Sequence, residues 1–394
     1  MQIPKIILKP GKEQSIKRFH PWIFSGAIKQ MLDKIEEGDL VEVFDSNRNF
    51  LALGHWQIGS IAVRIVSFEN EIIDDAFWLK KVNKAYNLRK EIGLTDNSKT
   101  NTYRLIYGEG DEIPGLIADV YGDMIVMQCH TVAMYRLRNV FCNAFKTVFG
   151  DRLSAIYDKS ESTLPYKAGL NPENSFIFGK SSNSTILENG LKFRVDCEKG
   201  QKTGFFVDQR ENRVLLEKYC KDRAVLNLFS YTGSFSVYAM RGNAKLVHSV
   251  DSSERAIELA NENMMLNFPN DKRHNAYSAE AFEFMEQTEN KYDLIILDPP
   301  AFAKHLNVVK NALKGYRRLN AKAFEIIKPG GLLFTFSCSQ VISREEFRLA
   351  VFSAAAQSGR RVQILYQLEQ PADHPVDIYH PEGEYLKGLV LYVE

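Results

Sequence analysis

Between Val225 and Val393 the sequence alternates short, unbroken apolar runs with longer segments of helical spacing, and few folds accept that pattern. The runs are VLNLF (Val225 to Phe229), KLVHSV (Lys245 to Val250), YDLIIL (Tyr292 to Leu297) and GLLFTFS (Gly331 to Ser337). Helical spacing falls at Phe235 to Arg241, Ser253 to Asn267, Ala279 to Gln287 and Val309 to Ile327. A strand that is apolar on both faces must be covered on both faces, which predicts an α/β fold with a parallel central sheet. Arg361 to Gln367 and Gly388 to Val393 add two closing strands. Ligands in such sheets sit beyond the carboxyl ends of the strands, so the residues after each run carry the functional reading.

The first run leads into Phe229-Ser230-Tyr231-Thr232-Gly233-Ser234-Phe235 and then a helix. One glycine lets the backbone approach a ligand closely, but the G-x-G-x-x-G that wraps a pyrophosphate is absent. The second run ends in Asp251, 18 residues after Gly233, where a carboxylate can accept both hydroxyls of a ribose. A ribose without phosphates fits S-adenosylmethionine better than a nicotinamide dinucleotide. Asp251 has a second reading, as the cap of the helix that begins near Ser252.

The third run ends in Asp298-Pro299-Pro300-Ala301-Phe302. Two prolines stiffen the chain there, and a carboxylate held at that edge can bond a planar heterocycle on which Phe302 could stack. The alternative is a strand-terminating turn capped by Asp298. The fourth run ends in Thr335-Phe336-Ser337-Cys338-Ser339-Gln340. An isolated cysteine is more often an inert buried hydrophobe, and Cys129, Cys142 and Cys220 suit that description. Cys197, just before Gly200, is harder to place, and Cys338 lies among serines at the ligand edge, where a reactive thiolate is expected. The five cysteines are odd in number and contain no C-x-x-C pair, which argues against a disulfide framework and a zinc site. A thiolate beside a methyl donor suggests attack on cytosine: addition to C6 makes C5 nucleophilic, and a carboxyl at N3 stabilises the adduct.

The first seventy residues hold strand candidates at Ile6 to Lys9, Asp39 to Asp45, Phe50 to Gln57 and Ile61 to Phe68, consistent with a small β-barrel. A helix is expected over Asp74 to Ile92. Paired strands at Gly115 to Val120 and Met124 to Cys129 follow, then a helix around Tyr135 to Phe149 and a serine-bearing connector at Lys180 to Thr185. Domain boundaries are therefore expected near 72 and 185, giving parts 1–72, 73–185 and 186–394. Formal net charge is only +1, so any nucleic-acid surface must be local. Six basic residues and one acid lie between Met1 and Gln30, and between Ala301 and Ala323 there are six (Lys304, Lys310, Lys314, Arg317, Arg318, Lys322) with no acid. These are RNA-binding patches or solvated faces. No apolar run approaches a membrane span of ~18 residues, and the N-terminus has no signal-peptide core, so a cytoplasmic protein without membrane partners is expected.

Taken in order, the motifs carry a family resemblance. Gln201-Lys202-Thr203-Gly204-Phe205-Phe206-Val207-Asp208-Gln209-Arg210, then NLFSYTGSFS, LDPPAF, TFSCS, Asp373-His374-Pro375 and Tyr385-Leu386-Lys387-Gly388 resemble the ribosomal RNA large subunit methyltransferase I family. His20-Pro21-Trp22-Ile23-Phe24-Ser25-Gly26-Ala27 is similar to that family's RNA-binding PUA domain. Gly108-Glu109-Gly110-Asp111 and Pro114-Gly115-Leu116 resemble its small α+β central domain. The resemblance implies a Rossmann-like class I methyltransferase domain with a closing antiparallel strand, acting on C5 of a cytosine in large-subunit (23S) ribosomal RNA with S-adenosylmethionine. It implies Cys338 as nucleophile and Asp298 at the base edge. Gln209, Arg210, Phe229, Tyr231, Thr232, Gly233, Asp251, Ser252, Glu280 and Asp298 would line the cofactor, and Pro299, Phe302, Lys304, Arg317 and Arg318 the RNA. Asp373 and His374 are either a structural loop or the base for the C5 proton. Methylation of an exocyclic amine or purine nitrogen, and a non-catalytic assembly factor, are the competing readings; monomer or homodimer stays open.

Overall fold

The computed structural model describes residues 3–164, 168–180, 185–288 and 292–394. Its contacts group the chain into two compact units. The first comprises Met1–Leu187, Val195–Val207 and Ala372–Gly383, and the second Glu188–Arg194, Asp208–Pro371 and Glu384–Glu394.

In the first unit, β1 (Lys5–Leu8), β2 (Trp22–Phe24), β3 (Ile28–Met31), β4 (Leu40–Phe44), β5 (Phe50–Trp56) and β6 (Ile61–Ser67) form a sheet in the order β2-β6-β5-β4-β1-β3. Strand alternation aims Ile6, Leu8, Val41, Val43, Val63 and Ile65 into one core. Leu53 and Val66, on the same strands, join a different core with Phe77, Trp78 and Val82 of α1 (Asp75–Glu91). That shared core is why the compact units do not part near residue 72. Helix α1 starts where the Asp74 carboxylate accepts the Phe77 N–H at 2.9 Å.

A second sheet, β11-β10-β9-β8-β7, is made of β7 (Thr102–Tyr107), β8 (Leu116–Tyr121), β9 (Met124–Cys129), β10 (Ala155–Asp158) and β11 (Ser175–Gly179). Where one helix was expected, α2 (Val132–Arg136) and α3 (Arg138–Phe149) are separated at Leu137. The segment Ala372–Gly383 is stitched into this unit. Asp373 Oδ2 accepts the Arg104 N–H at 3.0 Å, and buried Arg89 pairs with Asp111 while donating to the Asp373 carbonyl at 2.8 Å. A Cβ on Gly110 would overlap the Pro375 carbonyl, which gives the Gly108-to-Asp111 motif a packing reason. Asp373 and His374 are wholly buried, with His374 Nδ1 3.1 Å from Asp373 Oδ1.

A ribbon of β12 (Thr185–Glu188) and β13 (Leu191–Arg194) follows; the serine connector at 181–184 lies outside the described residues. The second unit holds β14 (Ala224–Leu228), β15 (Leu246–Asp251), β16 (His274–Ser278), β17 (Tyr292–Leu297), β18 (Ile327–Ser337), β19 (Val362–Glu369) and β20 (Lys387–Val393). Their order is β16-β15-β14-β17-β18-β20-β19, parallel through β18, with β20 antiparallel to both neighbours. This is the expected α/β sheet with its closing antiparallel strand. The helices are α4 (Arg210–Glu217), α5 (Ser234–Arg241), α6 (Glu254–Asn267), α7 (Ala281–Glu286), α8 (Val309–Ile326) and α9 (Arg344–Ser358). Among the described residues no helix is long and apolar enough to cross a membrane.

Parallel register fixes which loops share an edge. Val250 pairs with Leu228, Leu228 with Leu297, and Leu297 with Thr335, so the loops bearing Asp251, Tyr231, Asp298 and Cys338 leave the sheet side by side. Helix α4 is anchored by a fully buried bidentate pair, Arg213 Nε and Nη2 to the Glu188 carboxylate at 2.8 and 2.7 Å. Glu188 also accepts the Tyr238 hydroxyl of α5 at 3.0 Å. Arg213→Met leaves that carboxylate buried without its cation and is expected to cost about 3–5 kcal/mol in urea unfolding, partly recovered by adding Glu188→Gln. A loss below ~1 kcal/mol would contradict the anchoring role.

Candidate active site

The turn between β14 and α5 is built from unusual backbone. Phe229, Tyr231 and Gly233 have φ of 58°, 44° and 70°, so two residues with side chains occupy the left-handed region at a cost of about 1–3 kcal/mol each. Such strain persists where surroundings over-determine it, and here they do. The Tyr231 N–H donates to Asp251 Oδ2 at 2.9 Å, and a Cβ on Gly233 would stand 2.9 Å from the Ala260 Cβ of α6. Asp251 Oδ1 takes the Ser253 N–H at 3.0 Å, whereas the cap of α6 is Ser253 itself, bonded to the Ala256 N–H. The capping reading of Asp251 is thereby replaced: its carboxylate ties two loops together and retains lone pairs for ligand hydroxyls. A close backbone turn, a half-buried carboxylate and no phosphate-wrapping glycines fit S-adenosylmethionine.

Asp298 stands at the end of β17, partly open but deep enough that desolvation dominates its chemistry. Burial, reinforced by the Asp208 carboxylate, raises its carboxyl to about 7, against the opposing Gln209 hydrogen bond and Arg213 charge. Gln209 is oriented by Asn212, whose amide donates to Gln209 Oε1 at 2.7 Å, and Asp208 accepts the Tyr385 hydroxyl at 2.6 Å. At neutral pH Asp298 is thus divided between acid and carboxylate, able to donate a proton to a ring nitrogen.

Cys338 follows β18, and its Sγ lies 3.8 Å from the Pro299 carbonyl, which places the thiol beside the Asp298 loop. Tyr316 of α8 braces both flanking serines, at 3.0 Å from Ser337 Oγ and 3.1 Å from Ser339 Oγ. The remaining cysteines are unsuited to attack. Burial raises the thiols of Cys129 and Cys142 and pushes Cys220 up to about 12; burial and Glu198 raise Cys197.

The other predicted site residues have varied surroundings. The Phe302 ring packs on Tyr316, centroids 4.6 Å apart, and against Gly315, because the chain after the two prolines turns back onto α8; the ring is only partly buried. Thr232 is buried, with its carbonyl held by Asn263 at 2.8 Å. Arg210 is also buried, against Glu211. Ser252 and Glu280 are exposed; the latter's loop is tied to Asp251 through the Ala279 N–H at 3.0 Å. Arg318 lies over the Phe282 ring, Lys322 pairs with Glu325, and Lys304, Lys310, Lys314 and Arg317 are exposed, the last three on one face of α8. Sequence reasoning passed over Asn212 and Arg213, and named Asp208 and Lys387 within motifs without giving them a role. Alternation at the end of β20 was the available signal for Lys387, a cation on a strand whose neighbours are all apolar.

Comparisons with known proteins follow this geometry. A family model described as S-adenosylmethionine-dependent methyltransferase matches residues 175–390, and a PUA-like domain model matches 6–68. The Ribosomal RNA large subunit methyltransferase I of Erwinia tasmaniensis is 37% identical over 99% of both chains, and that of Alteromonas mediterranea 38% identical over 99% of this chain and 98% of its own. A solved structure of a putative SAM-dependent methyltransferase from Streptococcus mutans superposes over 100% of both chains with a TM-score of 0.85 at 23% identity, a likeness of fold.

Asp298 binds its proton more tightly folded than unfolded, so its contribution to stability is complete below about pH 4 and is lost as pH rises through about 7. Asp298→Asn escapes that loss. Wild-type melting temperature should fall relative to the variant between about pH 4 and 7 in the ligand-free protein and run level with it above that; parallel curves across the whole range would contradict the raised carboxyl.

Proposed function

Because the chain belongs to the ribosomal RNA large subunit methyltransferase I family, we propose that it methylates C5 of a cytosine in large-subunit ribosomal RNA through a covalent bond from Cys338 to C6. The observation that supports this reading best is the meeting of Cys338 with the Asp298-Pro299 loop at one sheet edge, Sγ 3.8 Å from the Pro299 carbonyl. When bound, S-adenosylmethionine supplies a methyl group on a positively charged sulfur. Phe229, Tyr231, Gly233, Asp251, Ser252 and Glu280 would hold it, with Asp251 on the ribose.

The chain's own residues then have distinct tasks. The Cys338 thiolate forms a bond to C6, and the electron pair displaced from the C5–C6 double bond is spread toward N3. Protonated Asp298 donates to N3 and stabilises that charge, which is why a carboxyl near 7 is more useful there than an ordinary one. C5 thereby becomes the carbon nucleophile that accepts the methyl group. Loss of the C5 proton to water restores the double bond as the C6–S bond breaks, Cys338 leaves as thiolate, and N3 returns its proton to Asp298.

Parts 1–72, 73–185 and 186–394 serve as RNA grip, connection and chemistry in this reading, in a cytoplasmic enzyme. Lys304, Lys310, Lys314 and Arg317 hold the RNA backbone, while the base is read single-stranded or flipped. Unmodified large-subunit RNA incubated with the protein and S-adenosylmethionine, then digested, should yield 5-methylcytidine by mass spectrometry. Cys338→Ala should lower turnover by at least ~10³-fold while calorimetry shows unchanged cofactor binding. A methylated purine, or full activity in that variant, would overturn the covalent reading.

A further inference from the structure

Lys387 opens β20 directly opposite Ser337, the residue before Cys338, and is only 6% exposed. Its ammonium donates to the carbonyls of Ser339 and Ile342 at 2.7 and 2.6 Å, so it spans the loop that begins with the thiol. The charged groups facing it are Cys338 on that loop, Arg344 and Glu346 on α9, and Glu384 before β20. Both carboxylates are otherwise engaged: Glu384 pairs with Arg344 at 3.4 Å, and Glu346 closes the capping box with Ser343. Among the described residues Lys387 makes no ion pair with a carboxylate. A buried ammonium with two carbonyls and no anion is incompletely compensated, and one of its three N–H groups is left for another acceptor.

We propose that Lys387 is the positioning residue of the nucleophile, holding the Cys338 loop through two carbonyls and standing as the counter-charge of the Cys338 thiolate before RNA arrives. The inference rests on the reading of Cys338 as nucleophile. Desolvation lowers the Lys387 ammonium to about 8, and Cys338 is the strongest influence in the opposite direction. The attraction is reciprocal: whatever a thiolate does to hold the proton on Lys387, the ammonium does to release the proton of Cys338, which passes to water. An ordinary thiol is only a few per cent ionised at neutral pH, so this would raise the fraction of ready enzyme.

The test is alkylation of Cys338 by iodoacetamide across pH, quantified on the Cys338 peptide in the full chain without RNA or cofactor. The wild-type midpoint should lie about one unit below the ordinary ~8.5. Lys387→Met should return it toward that value, with a roughly tenfold slower reaction near pH 7, while Lys387→Arg keeps the charge and most of the shift. A wild-type midpoint at or above ~8.5 overturns the proposal without any variant. So does an unshifted midpoint in a Lys387→Met protein that still binds S-adenosylmethionine. Because the thiol is titrated directly, activity retained by Cys338→Ala would remove the covalent mechanism without altering this result.

Discussion

The register of four parallel strands is the constraint from which the rest of the site follows. Hydrogen bonding places Val250, Leu228, Leu297 and Thr335 in one row, so four loops distant in sequence must emerge together. A slip of one residue would turn every side chain of a strand to the other face, and these strands are buried on both, so packing holds the row. The buried Arg213–Glu188 pair extends the order to α4, which brings Gln209 onto Asp298. Hydrophobic packing makes the edge, and a few fully buried polar bonds aim what stands on it.

Two electrostatic devices distinguish this edge from an ordinary sheet terminus. Asp298 is kept partly protonated by burial and by Asp208, which converts an acceptor into a donor suited to a ring nitrogen. Lys387 supplies a buried cation behind a thiol. In the proposed reading they place an acid and a nucleophile one loop apart, with Asp298 tuned toward neutral pH by its surroundings rather than by residue type.

Much of the second unit was legible because its strands are continuous apolar runs, and burial on both faces is a strong constraint on sequence. The elements that escaped lack that signature. Strand β16 reads HNAYS and is an exposed edge, and the amphipathic α4 and α9 lie beside motifs that drew attention to loops. Asp251, Asp298 and Cys338 were legible as candidates because each stands at or just past the end of a strand at one sheet edge. Phe302 was legible as a motif residue but not as a partner of Tyr316, since the direction of the chain after Pro300 depends on packing against α8. The packing across position 72 was invisible to spacing for a similar reason: Leu53 and Val66 belong to a barrel-like sequence yet pack with Trp78. Asp373, equally prominent in sequence, accepts the Arg104 backbone N–H, a contact that no sequence pattern announces.

The central claim is that Cys338 bonds covalently to the base being methylated. The most direct measurement uses large-subunit RNA carrying 5-fluorocytidine, in which the C5 substituent cannot leave as a proton and the adduct therefore cannot resolve. With S-adenosylmethionine present, the account predicts a protein–RNA complex that survives denaturing electrophoresis and whose cross-linked peptide contains Cys338. Its contradiction would be RNA that becomes methylated by the same protein with no such complex formed, or a complex attached through any other residue.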